Sequence, residues 1–270
     1  MNSYYSDHPL NFAHRGASSE APENTIAAFL LAAELGADGI ELDVQLSKDG
    51  EVVVIHDLWL ETTTDGHGPV RARTRAELQE LDAGSWFDPI FAQQRIPTLQ
   101  EVVEAVGQRL LLNIELKTAS LVDSDLARAV VRIVEENQLL DRVIVSSFNH
   151  LALRKVRQLN PRVPIGLLYS PDMSLPLRRT WLRPLLRPEA LHPYHEMIDA
   201  EAVRWAKERG YRIHTWTVDD AGTMWQLVRL GVDLIITNRP DLLRQVLQTR
   251  PVKPPSATKQ VASSPLPMGG

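Results

Sequence analysis

The sequence predicts an α/β protein of the (β/α)8 TIM-barrel class, with a small segment inserted after the second strand unit. Three observations point there. Leaving aside the second arm of a hairpin at 52–55, eight short runs rich in Val, Ile and Leu recur along the chain, most are followed by a stretch of helical periodicity, and charged residues gather at the ends of several of the runs. A doubly wound open sheet is the competing architecture, and strand number, strand length and the clustered charges favour the barrel.

The first run, 10–13, ends at His14-Arg15-Gly16, and residues 25–35 read as a helix that begins at Asn24 or Thr25 and stops at Gly36. Residues 39–46 and 52–55 are strand-like and flank Ser47-Lys48-Asp49-Gly50, where Asp-Gly favours a tight hairpin turn. Further strands are predicted at 110–116, 143–145, 165–168, 190–191, 213–217 and 234–236. Helices are predicted near 99–106, 123–137, 149–159, 201–209, 219–230 and 240–248. Residues 57–97 break the alternation with turns, a short helix at 74–81 and the aromatic pair Trp86-Phe87. They are expected to pack over one mouth of the barrel.

The 270 residues, 44% hydrophobic and 23% charged, are read as one catalytic domain over 1–250. Residues 251–270 carry five prolines among small polar residues and are expected to be disordered. A net charge of −5 with dispersed Lys and Arg excludes the broad basic surface that nucleic acid requires. The absence of cysteine rules out disulfides and thiolate metal sites, so a metal would be a hard cation such as Mg²⁺ or Ca²⁺ on oxygen ligands. No apolar run is long enough to span a bilayer and the first residues lack the pattern of a secretion signal, so the expected location is the cytoplasm.

Glu41 and Asp43 lie two apart in an apolar strand, so both side chains point to one face, which in a barrel is the interior. Burying two like charges costs several kcal/mol each without compensation, and a cation is the natural partner. Glu115 and Lys117 repeat the spacing on the third strand, where Glu115 would add a third oxygen and Lys117 would neutralise a neighbouring phosphate. His14 and His56 close two strands beside Arg15 and Asp57 and suit proton exchange near neutral pH. Arg15 offers a planar fork for phosphate, and Glu23 could brace it.

The chain resembles glycerophosphodiester phosphodiesterases. The likeness is carried by His14-Arg15-Gly16, Pro22-Glu23-Asn24-Thr25, residues 36–44, Val53-Val54-Ile55-His56-Asp57, Thr62-Thr63-Thr64-Asp65-Gly66, Ile96-Pro97-Thr98-Leu99, Asn113-Ile114-Glu115-Leu116-Lys117, Trp216-Thr217-Val218 and Thr237-Asn238-Arg239-Pro240. It implies a (β/α)8 barrel that uses a divalent cation to hydrolyse glycerophosphodiesters to sn-glycerol 3-phosphate and an alcohol. It also implies that Glu41, Asp43 and Glu115 bind the metal, that His14 and His56 are the acid and base, and that Arg15 and Lys117 hold the phosphate. Phe148 and Trp216 are candidates for an apolar wall against the glycerol, and His192 is a lesser candidate. Glu61 stands where the family pattern usually has arginine, which affects local ion pairing and not the catalytic set.

Two alternatives keep the fold. One is a lysophospholipase D acting on long-chain lysophospholipids, suggested by arginines and apolar residues over 176–187 that suit peripheral contact with a membrane, although Pro184 argues against one continuous amphipathic helix. The other is a barrel that binds a phosphorylated ligand without turnover.

Overall fold

A computed structural model describes residues 8–118 and 125–249. The chain begins β1 (Leu10–His14), α1 (Ile26–Glu34), β2 (Gly39–Leu46), β3 (Val52–Val54), α2 (Arg75–Gln79), α3 (Leu99–Val106) and β4 (Leu111–Leu116). It continues α4 (Asp125–Glu136), β5 (Val143–Ser147), α5 (His150–Leu159), β6 (Ile165–Tyr169), α6 (Leu175–Arg178) and α7 (Arg183–Leu186). The last elements are β7 (Ala190–Pro193), α8 (Ala200–Glu208), β8 (Arg212–Thr215), α9 (Ala221–Leu230), β9 (Leu234–Thr237) and α10 (Pro240–Gln248).

Strand order β1-β9-β8-β7-β6-β5-β4-β2 is closed by pairing of β1 with β2, so eight parallel strands form the barrel. The ninth strand, β3, runs antiparallel to β2 as the second arm of the Asp-Gly hairpin and lies outside the closed set. Alternation along each strand divides the side chains. On β2, Ile40, Leu42 and Val44 join the apolar layer under the helices, while Glu41 and Asp43 face the lumen. Leu10, Phe12, Leu111, Ile144, Ala190, Leu234 and Ile236 form a separate apolar cluster that fills the lumen below the polar residues.

The helices start where short polar side chains satisfy free backbone N–H groups. Thr25 accepts from the Ala28 N–H, Thr98 and Glu101 form a reciprocal capping box, and Asn149, Asp199 and Asp220 cap α5, α8 and α9. Over 176–187 the chain forms the two short helices α6 and α7, with Pro184 in the first turn of the second, in line with the discontinuity expected there.

The insertion has its own small core, in which Leu60, Val70, Leu78, Ala83 and Ile96 pack on Val53 and Ile55. It leans on the flank of the barrel. Gln94 Oε1 accepts from the Ala27 N–H at 3.1 Å, and Arg75 pairs with Glu101 of α3 at 3.0 Å. It packs against α1 and α3, and its Thr63, Ala83 and Ile96 line a small cleft with Glu23, Asn24 and His56 at the strand ends. Trp86, Phe87 and Phe91 stack edge to face within the insertion, and Trp86 stays 45% exposed, so aliphatic packing is the anchor. Glu61 accepts from the Gly68 N–H at 2.8 Å and needs no arginine in its place. The expected tail, 251–270, and part of the helix predicted from 123 lie outside the described residues.

His192 on β7 and His214 on β8 face each other in the lumen with ring centroids 4.6 Å apart, both fully buried. Gly166 on the adjacent strand makes room, since a Cβ there would collide with the His192 ring. Burial pushes His192 down to about 3, and burial followed by His192 and Arg212 holds His214 well below the usual imidazole range. Both return to about 6.5 in the unfolded chain, which then binds more protons than the folded one below that pH. Stability therefore falls on acidification between about pH 6.5 and 3, by up to ~1.4 kcal/mol per pH unit for each histidine. Urea unfolding at neutral pH and near pH 4 should show a smaller loss in His192→Met than in the parent protein; equal losses would contradict the assignment.

Candidate active site

Eight of the nine site residues expected from the sequence line one cavity of about 140 Å3 at the C-terminal ends of the barrel strands: His14, Arg15, Glu41, His56, Glu115, Lys117, Phe148 and Trp216. Asp43, the ninth, is 1% exposed and does not line it. One ligand oxygen from each of Glu41, Asp43 and Glu115 falls within 4.8 Å of the others. The register explains the meeting, because Asp43 of β2 stands opposite Glu115 of β4 in the parallel pair, with Glu41 one inward position below Asp43.

The turn after β1 is shaped to present Arg15. Arg15 and Gly16 both have left-handed backbones, with φ of 55° and 86°, and a side chain at Gly16 would run into Ala28 at 2.7 Å. The turn directs the Arg15 N–H to the Glu41 backbone oxygen at 2.9 Å. The Arg15 guanidinium reaches Glu23 Oε1 at 2.8 Å and Asp43 Oδ2 at 3.2 Å, so the brace expected from Glu23 is present. Lys117 Nζ lies 3.2 Å from Asp43 Oδ1 and 2.5 Å from Glu115 Oε1.

Asn24 was expected with Thr25 at the start of α1. Thr25 alone caps that helix, while Asn24, with φ of 58°, turns inward, donates to Asp43 Oδ2 at 2.9 Å and accepts from the Asp43 N–H at 3.3 Å. Asp43 is thus gripped on both oxygens, whereas Glu41 Oε1 is buried without a hydrogen-bond partner. Burial alone would raise Asp43, yet Lys117 and Arg15 outweigh it and hold the carboxyl far below the usual range. Burial and repulsion from Asp43 and Glu115 push Glu41 well above its ordinary value, and burial likewise raises Glu115. A buried, unpartnered carboxylate oxygen beside two further carboxylates, with no softer donor in the set, fits a hard divalent cation.

Each histidine is held at Nδ1. His14 Nδ1 donates to Asn238 Oδ1 at 2.7 Å, and Asn238 Nδ2 donates to Asp219 Oδ2 at 2.6 Å, which settles which way the amide faces. The Asn238 N–H and the Thr237 hydroxyl also donate to Asp219 Oδ1, at 2.8 and 3.0 Å. His14 Nε2 lies 3.9 Å from Glu41 Oε2. His56 Nδ1 donates to Asp57 Oδ1 at 2.6 Å. Burial, reinforced by Arg15, lowers His14 to about 4, so its ring is neutral near pH 7.

Phe148 and Trp216 meet edge to face at 5.4 Å on the opposite wall. His192 does not reach the cavity. Three residues given no site role from the sequence, although they stand in its quoted motifs, join the site: Asn24 and Asn238 as braces, and Asn113, which lines the cavity with both amide atoms buried and unpartnered. The alternation on β4 carried a signal for Asn113, two residues before Glu115.

Residues 14–242 match the Glycerophosphoryl diester phosphodiesterase family. A glycerophosphodiester phosphodiesterase of Caldanaerobacter subterraneus subsp. tengcongensis is 46% identical over 237 residues, covering 87% of this chain and 96% of that protein. One from Bacillus subtilis is 33% identical over 255 residues, covering 89% and 87%. The structure of an Oleispira antarctica phosphodiesterase in complex with the product sn-glycerol-3-phosphate is similar with a TM-score of 0.83 at 34% identity, covering 90% of this chain and 98% of that one. A glycerophosphodiester phosphodiesterase from Agrobacterium tumefaciens gives 0.77 at 30%, covering 88% and 99%.

Because burial and the neighbouring carboxylates raise Glu41, a cation at this site competes with protons for that carboxylate. Calorimetric titration with Mg²⁺ or Ca²⁺ should therefore show binding that tightens, with proton release, as pH rises through the Glu41 transition. In Glu41→Gln both the affinity and its pH dependence should diminish; an unchanged titration would remove Glu41 from the ligand set.

Proposed function

The chain belongs to the glycerophosphoryl diester phosphodiesterase family, and from that premise we propose that it hydrolyses glycerophosphodiesters, such as glycerophosphocholine or glycerophosphoethanolamine, to sn-glycerol 3-phosphate and an alcohol. The observation that carries this reading is that two histidines, each with Nδ1 tied to a fixed acceptor, open onto the same cavity as three carboxylates able to hold a cation. The product bound to the Oleispira antarctica relative supports the choice of sn-glycerol 3-phosphate.

On this reading Glu41, Asp43 and Glu115 would hold Mg²⁺ or Ca²⁺, which would supply positive charge to offset that gathering on the non-bridging oxygens. Arg15 and Lys117 flank the same position and bind the phosphate from the protein side. Phe148 and Trp216 support the glycerol. The C2 hydroxyl of the glycerol attacks phosphorus while the bond from phosphorus to the alcohol oxygen breaks, leaving a cyclic phosphate. Water then opens the ring at the C2 oxygen to give the 3-phosphate.

The surroundings of the two rings divide their work. His14 is neutral, lies beside Arg15 and has an amide oxygen on Nδ1, so Nε2 is a vacant proton acceptor and takes the proton of the attacking hydroxyl. His56 has a carboxylate on Nδ1, which offsets an imidazolium charge, so Nε2 delivers a proton to the departing alcoholate. The roles reverse when water opens the ring.

A second reading, with a long-chain lysophospholipid as substrate, has a specific observation in its favour. Leu175, Trp181 and Leu185 of the α6–α7 segment are exposed, Trp181 by 60%, among Arg178, Arg179, Arg183 and Arg187. Arg183 is stacked 4.6 Å over Trp205 and Arg178 donates to the Pro171 oxygen, so Arg179 and Arg187 are the arginines of this segment offered to lipid. Among the described residues no helix is long and apolar enough to cross a membrane, so contact by this segment would be peripheral.

Purified protein with Mg²⁺ or Ca²⁺ should release sn-glycerol 3-phosphate from glycerophosphocholine, and chelation should stop it. His14→Ala and His56→Ala should each lower kcat by at least ~100-fold with the fold intact by circular dichroism; undiminished turnover in both would end the acid-base assignment. For the second reading, co-sedimentation with phosphatidylglycerol vesicles should be seen in the parent protein and weaken in Trp181→Ala. Absence of binding by the parent would leave only the glycerophosphodiester reading.

A further inference from the structure

A second cavity, of about 510 Å3, opens beside the first and shares two walls with it, because Phe148 and Trp216 line both. Its other walls include Tyr194, Met173, Ser170 and Asp172. Three aromatic rings therefore surround it. Tyr194 meets Trp216 at 5.3 Å, and Trp216 meets Phe148 at 5.4 Å with the planes perpendicular.

The rings are held in place. Trp216 Nε1 donates to the His192 backbone oxygen at 2.9 Å, and the Tyr194 N–H donates to the Tyr169 oxygen at 3.0 Å. Asp172 is the carboxylate of this lining, and the Ser170 hydroxyl donates to its Oδ1. That bond holds the Asp172 carboxyl below its usual range, so it is ionised near neutral pH. Arg178 is the cation beside the loop, and its guanidinium donates to the Pro171 oxygen at 3.1 Å.

The two cavities differ in charge. Arg15 and Lys117 line the first, and Lys117 lies 5.9 Å from the Phe148 ring centre; neither lines the second, where aromatic faces and a carboxylate meet. Aromatic faces attract cations, and a methylated ammonium is large and weakly hydrated enough to leave water for such a wall. A thioether such as Met173 adds a soft, polarisable contact for methyl groups.

We propose that this basin is the subsite for the leaving alcohol and selects alcohols bearing a quaternary ammonium group. The inference rests on the glycerophosphodiesterase reading. With the phosphate between Arg15 and Lys117 and the glycerol on the catalytic side of the Phe148–Trp216 wall, the alcohol crosses the wall's edge into the basin. There its positive charge lies near Asp172 and away from the cations that hold the phosphate.

The test compares glycerophosphocholine with the glycerophosphodiester of 3,3-dimethylbutanol, in which a tert-butyl group replaces trimethylammonium at nearly equal shape. The full chain with metal should favour the choline ester in kcat/KM by about tenfold. Asp172→Asn and Tyr194→Leu should each bring the two esters within about threefold of one another in kcat/KM. Equal rates in the parent protein, or a preference that survives both substitutions, would overturn the proposal. Saturation-transfer NMR with tetramethylammonium chloride separates this outcome from failure of the underlying activity. If neither ester is turned over, the glycerophosphodiesterase reading fails. Saturation of the methyl signal that weakens in Asp172→Asn would still place the cation in the basin, and no saturation would refute the basin as well.

Discussion

The structure is organised around the convergence of Glu41, Asp43 and Glu115 in the barrel lumen. Three carboxylates at this depth repel one another and lose the solvation that would make the repulsion tolerable, so everything nearby is arranged to compensate. Asp43 takes most of the compensation, with Arg15, Lys117 and Asn24 around it. Glu41 takes least, having one oxygen without a partner. The result is an uneven site, one carboxylate firmly ionised and another inclined to carry a proton, although the two stand on the same strand.

The barrel makes this arrangement affordable in volume and stiff in geometry. Parallel strands in register bring Asp43 level with Glu115, and the alternation that turns these two inward turns Leu42, Val44, Ile114 and Leu116 outward into the layer beneath the helices. The polar floor thus rests on apolar packing on every outer side. The left-handed pair Arg15 and Gly16 belongs to the same design, since it turns the chain so that the arginine bends back toward the strand beside it.

Much of this was legible in the sequence because its signals are local. The period-two spacing of Glu41 with Asp43 and of Glu115 with Lys117 names a shared face without knowledge of the fold, and a histidine at a strand end beside a charged residue is visible as it stands. The Glu23 brace on Arg15 was legible for the same reason, whereas the asparagine braces were not, for the opposite one. Asn238 meets His14 from 224 positions away, and nothing near His14 announces it. Asn24 stands where a helix cap belongs, and only the barrel's closure brings Asp43 close enough to draw it inward. The insertion could be recognised as an interruption, but its seat on α1 and α3 depends on tertiary contacts such as Gln94 with Ala27.

Charge supplies the last constraint. At the floor, three carboxylates face Arg15 and Lys117, and Arg15 is shared with Glu23, so negative charge is in excess. A divalent cation would offset that excess, a phosphodiester monoanion would be repelled less with the cation in place, and each would favour the other's binding through the field between them. On the proposed reading, a positive charge on the alcohol would gain nothing beside Arg15 and Lys117 and would gain most beyond the aromatic wall, where the lining holds the Asp172 carboxylate. Phe148 and Trp216, which line both regions, would then serve as low-dielectric insulation as much as contact.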